Sequence, residues 1–111
     1  MTSTVEFFIE AIARDHAGRP VHVGFVVTGG SLSVGDVFIS LYEVPRTLED
    51  AQQGRARAAP VNVRATSIRV EAIDVRRKQV PSLTEGTIGA LYLTGQDVDA
   101  IGVRTYLSTS N

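Results

Sequence analysis

Apolar residues along this chain recur in short, β-branched runs bounded by glycine, proline and acidic residues, the signature of strands joined by tight turns. Val5, Phe7, Ile9 and Ala11 alternate at period two, with Phe8 and Ile12 interrupting the opposite, polar side, which predicts a first strand over 5–13. Residues 14–20 (RDHAGRP) have the chemistry to end it: Gly18 is free to take positive φ and Pro20 fixes the exit. A second strand follows over 21–28, with Val21, Val23, Phe25 and Val27 on one face and His22, Gly24, Val26 and Thr28 on the other. Gly29-Gly30 reads as a turn, 31–36 as a short extended piece closed by a second turn at Gly35-Asp36, and 37–44 as a third strand.

Residues 45–60 break the pattern. They hold Pro45, Pro60, Gly54 and a single large apolar residue, Leu48. This predicts a long surface excursion, with a helical turn over 48–53. Connections beyond about 12–15 residues are uncommon in compact domains and often functional.

The longest extended stretch is 61–75. Val61, Val63 and Ala65 fall in one register and Ile68, Val70 and Ala72 in the other, so a bulge or bend is expected near Thr66-Ser67 to restore inward pointing. After Arg76-Arg77-Lys78 come a short piece at 80–83, a turn at Glu85-Gly86, an apolar strand over 87–94, a connection over 95–101 and a last strand over 103–107. No segment has clean helical periodicity. Six or seven short strands predict an all-β fold: a small, closed or partly open antiparallel β-barrel, forming one domain over 1–111.

At 111 residues, a chain of this composition, 43% hydrophobic and 21% charged, can support one ordinary core. Cysteine is absent, which removes disulfides, thiolate nucleophiles and cysteine-ligated metals. No run approaches the roughly 20 apolar residues of a membrane span. The start, MTSTVE, lacks a basic region and apolar run, so the expected location is cytoplasmic. The net charge of −1 argues against a dedicated nucleic-acid binder, but its distribution is uneven. Residues 1–44 carry −3 and 81–111 carry −2, while 45–80 hold eight basic against four acidic residues, a net +4.

With these elements placed, the stretch 18–36 (GRPVHVGFVVTGGSLSVGD) resembles the hallmark of domain II of elongation factor Tu and related translational GTPases. Both show a Gly-Arg turn, an alternating strand with a central glycine, a glycine turn and an apolar-x-Val-Gly-acid turn. Residues 85–95 (EGTIGALYLTG) are similar to the family's Gly-x-x-Val-Gly-Leu-x-Leu-x-Gly strand, and 96–107 resemble the connection into its closing strand. The resemblance covers most of the chain apart from 45–60. It implies the family's barrel, standing alone without the GTPase domain. There is no Gly-x-x-x-x-Gly-Lys-Ser/Thr phosphate loop, and the single lysine, Lys78, follows two arginines. Hydrolysis of GTP is therefore not expected, and no transfer-RNA contact residue is carried over.

Catalytic material is sparse. Asp15 and His16 are loop neighbours, no histidine–carboxylate spacing suggests a metal, and Asp97 with Asp99 lacks the glycine and distal glutamate of a calcium loop. No catalytic residue, cofactor or metal is therefore assigned, and an enzyme is not expected. An enzymatic alternative would need a pocket gathering Asp15, His16 or Asp36. Gly18, Gly29, Gly35, Asp36, Gly86 and Gly95 are read as structural turns, while Gly24 and Gly89, inside strands, mark bulges or close backbone approaches.

The candidate partner-binding residues are Arg55, Arg57, Arg64, Arg69, Arg76, Arg77 and Lys78. Arginine binds phosphate bidentately, although no aromatic residue interleaves this stretch. The same arginines would equally suit a solvated strand face, alternating with Glu71 and Asp74. The expected role is a non-enzymatic binding module. Its partner is expected to be a protein first, with RNA or the ribosome as a further candidate and no membrane role. The alternative is a structural barrel that self-associates as a homo-oligomer through an exposed strand such as 37–44.

Overall fold

In the computed structural model, residues 4–45 and 59–109 are described. The alternating runs form nine strands among them: β1 (Glu6–Arg14), β2 (Pro20–Thr28), β3 (Ser31–Ser33), β4 (Val37–Glu43), β5 (Val61–Val75), β6 (Lys78–Val80), β7 (Ser82–Thr84), β8 (Ile88–Gln96) and β9 (Tyr106–Ser108). The count exceeds the expected six or seven because three-residue strands formed where only turns and short extended pieces were expected. A 3-10 turn at Val98–Ala100 interrupts the connection to β9, and the last strand is shifted to Tyr106–Ser108 because Val103 and Arg104 form a turn. Most of the 45–60 excursion, including its expected helical turn, lies outside the described residues.

The main sheet runs β4-β9-β1-β2-β8-β5-β6, and β4 also pairs with β5. Six antiparallel strands thus hydrogen-bond in a ring, a small β-barrel with β6 appended as a hairpin. Phe7, Ile9, Val26, Phe38, Leu41, Ile68, Val70, Ile73, Leu91 and Leu107 fill the interior, with the Phe7 and Phe38 rings 6.5 Å apart. The separate β3–β7 pair places Leu32 opposite Leu83, both buried, in the same core.

Bulges decide which side chains reach this core. Between the pairs Phe38–Ile68 and Ser40–Ala65, one residue of β4 faces two of β5, so the extra residue falls at the expected Thr66-Ser67. A second extra residue lies at Asn62-Val63, where Asn62 has φ 55, and a third at Glu71 opposite β8. These extra bulges overturn two face assignments: Val61, Val63 and Ala65 are exposed, and Ile73 rather than Ala72 enters the core. A bulge at Glu10 likewise turns Ala11 out of the Phe7–Ile9 face.

All five glycines assigned to turns have positive φ, between 82° and 126°. Gly95, however, lies inside β8 opposite Ile68 rather than in a turn, since β8 runs on to Gln96, and there a β-carbon would meet the Ser67 carbonyl. Asp36 accepts the Ser33 amide at 2.9 Å, closing its turn as expected. Gly24 faces inward opposite Ile9 and Gly89, and a β-carbon there would stand 1.8 Å from the Phe8 carbonyl oxygen. The close backbone approach expected from the sequence is the reason for that glycine.

Candidate partner-binding surface

The seven basic candidates do not form one patch. Arg55 and Arg57 lie outside the described residues. Arg64 sits on the bulged start of β5 opposite Leu41, with its exposed Nη2 3.8 Å from Oδ1 of the half-buried Asp97, a loose pair of the kind worth little. Arg69 stands mid-strand, exposed between Val37 and Thr94. Arg76, Arg77 and Lys78 lie at the opposite end of β5 from Arg64, after roughly 40 Å of strand path. A 15-residue strand disperses what the linear sequence groups.

The β5–β6 hairpin is closed by two residues, Arg76 (φ 52) and Arg77 (φ 68), between the paired Val75 and Lys78. Positive φ at both central positions defines a type I′ turn, which matches strand twist and strongly favours Asn-Gly. Arginine in that backbone region costs roughly 1–2 kcal/mol per residue through β-carbon sterics. Both arginines and Lys78 are exposed, and none makes an ion pair with another described residue.

The opposite end of the barrel gathers the other three non-glycine residues at positive φ among the described residues: Asn62, Asp97 and Arg104. An open cavity of about 390 Å³ lies there, lined by Glu43, Val44, Pro45, Val61, Val103 and Arg104. A smaller one of about 120 Å³ includes Arg64 and Asn62. Neither includes Asp15, His16 or Asp36.

Asp15 is occupied structurally. Its carboxylate accepts the Ala17 and Arg19 amides at 3.0 and 2.9 Å and the Tyr92 hydroxyl at 3.1 Å. The Arg19 amide leads the interactions holding its pKa below the ordinary carboxylate value. Tyr92, beneath the Arg19 guanidinium at 4.8 Å, is shifted upward by desolvation and by its bond to Asp15. His16 points into solvent. His22 is instead buried on the inner face opposite Leu91, with Nδ1 unpartnered, and desolvation lowers its pKa.

Strand register also assembles an outer-face row of aromatic residues, contributed one per strand. Phe25 on β2 is opposite Phe8 on β1, which is opposite Tyr106 on β9, itself opposite Tyr42 on β4. Successive rings lie 5.7, 4.9 and 5.8 Å apart. Tyr42 donates to the buried Glu6 carboxylate. On its other side Phe25 is opposite Ile88 of β8, which is 57% exposed. Aromatic residues absent from the basic stretch are thus supplied by other strands. The one trace of this row in the sequence is Phe8 interrupting its polar face.

No family model matches the chain, and no curated protein sequence does. Among solved structures, translation elongation factor SelB from Methanococcus maripaludis, in its apo form, matches with a TM-score of 0.57 at 16% identity. The match covers 96% of this chain and 18% of that protein. The chain therefore shares a translation-factor-like β fold, over about a fifth of the length of the factor it resembles.

Proposed function

We propose that this chain is a non-enzymatic docking module of the elongation-factor domain II type, and that it binds RNA through the β5–β6 tip. The observation that carries the reading is the Arg76-Arg77 turn: two arginines occupy a backbone geometry that favours Asn-Gly, exposed and without an ion pair among the described residues. Strain retained at a surface turn motivates a functional explanation, and paired guanidinium groups with an adjacent ammonium suit phosphate. The likeness to a translation factor supports RNA or a ribosomal particle as the setting.

The test is fluorescence anisotropy with a structured RNA carrying paired and unpaired regions, at 50 to 200 mM salt. Affinity is expected to fall steeply with salt, and Arg76→Ala with Arg77→Ala is expected to weaken binding and flatten that dependence. Salt-independent binding, or no effect of the double substitution, overturns the reading. The self-assembly alternative loses the strand suggested for it, since β4 is hydrogen-bonded to β9 on one side and β5 on the other.

A further inference from the structure

We propose that the β5–β6 tip and the outer face of β8, β2 and β1 form one track for single-stranded RNA, with phosphates on Arg76 and Arg77 and bases on Ile88, Phe25 and Phe8. This rests on the reading of the tip as an RNA contact and specifies the form of RNA. β5 ends at Val75 and its last pair with β8 is Asp74–Ala90; Arg76 and Ile88 each lie two residues past that pair, toward the same end of the barrel. Ile88 is directly opposite Phe25, and Phe25 opposite Phe8. A line drawn across the strands therefore passes from the strained arginines to an exposed aliphatic side chain and then to two half-buried rings.

The chemistry of that line selects its occupant. In single strands the base faces are free to stack on side chains while the phosphates remain on one side, whereas a duplex hides its base faces. Asp74 lies on the same outer face one row away, opposite Ala90 and Gln79, and repels phosphate there. The anionic backbone is thereby kept to the tip side. A two-residue turn paired on both sides also fixes the Cα positions of the two arginines, limiting the backbone order lost on binding.

The probes are a fluorescein-labelled 12-nucleotide oligouridylate and a 12-base-pair RNA duplex, measured by anisotropy at 50 mM salt and above. The single strand is expected to bind more tightly than the duplex. Phe25→Leu keeps apolar volume without the ring and is expected to weaken single-strand binding roughly five- to hundred-fold with the salt slope unchanged. Ile88→Ser, at an exposed position, should act in the same direction without disturbing the fold.

Arg76→Asn with Arg77→Gly should reduce the salt slope by roughly 1.4, as loss of two single-strand phosphate contacts requires, and raise the melting midpoint. A midpoint no higher than that of the wild type overturns the claim that the turn is retained for binding. Equal affinity for single strand and duplex overturns the track. So does wild-type affinity in both Phe25→Leu and Ile88→Ser, while a loss confined to the arginine variant leaves the simpler tip contact standing. Absence of binding to either RNA overturns both.

Discussion

His22 shows how one residue can record the environment of a barrel interior. It is 3% exposed, its Nδ1 has no partner, and desolvation holds it neutral in the folded chain. The unfolded chain binds the proton more readily, near the ordinary value of about 6.5. Stability is therefore expected to be fully present above that pH and to fall as pH drops through it toward the lower folded value. Denaturant titrations at pH 7.5, 6.5 and 5.5 should show the loss, and His22→Leu should flatten it across that window. A slope in His22→Leu equal to that of the wild type would contradict this assignment. At the hairpin tip the same scale sets a magnitude: relieving two arginines at positive φ with Asn-Gly should stabilise the chain by about 1–3 kcal/mol, read as a shift in urea midpoint.

Turn chemistry was the most legible level of the elements. Gly18, Gly29, Gly35 and Gly86 lie at positive φ where the spacing predicts turns, and β5 has its expected limits of 61 and 75. Facing was less legible, because an alternating pattern assigns sides only until a bulge inserts a residue. Glu10, Asn62-Val63 and Glu71 each shift the phase without a sequence mark as clear as that at Thr66-Ser67. The candidate surface was legible only in part. Arg76, Arg77 and Lys78 were identified from composition, but their αL turn and the aromatic row depend on register between strands distant in sequence. Gly24 carries the element-scale prediction. Gly24→Ala forces β2 away from the Phe8 carbonyl and should cost about 3 kcal/mol or more, because the obstacle is backbone with no rotamer to yield. A thermal melt of that variant would test it directly.

For the whole molecule, closure of the ring depends on a short element. β9 has three residues, yet it alone joins β4 to β1, and its central Leu107 is fully buried opposite both Leu41 and Phe7. Leu107→Ala should cost about 2–5 kcal/mol. The loss is expected to be global, with far-ultraviolet dichroism and tyrosine fluorescence falling together as in a single cooperative transition. Separate transitions for the two signals would show that the other strands hold together without the closing one.

Ring closure has a further consequence. The Thr109 amide donates to the Val5 carbonyl at 3.0 Å, and the Val5 amide donates to Thr109 Oγ1 at 2.9 Å. Polypeptide therefore enters and leaves the barrel at adjacent points. Such geometry makes a transplantable cassette: a surface loop of an unrelated host could carry residues 5–109 with its own ends scarcely separated. Joining the two ends through a short glycine-serine linker and reopening the chain at the Gly18 turn should likewise yield a permuted barrel.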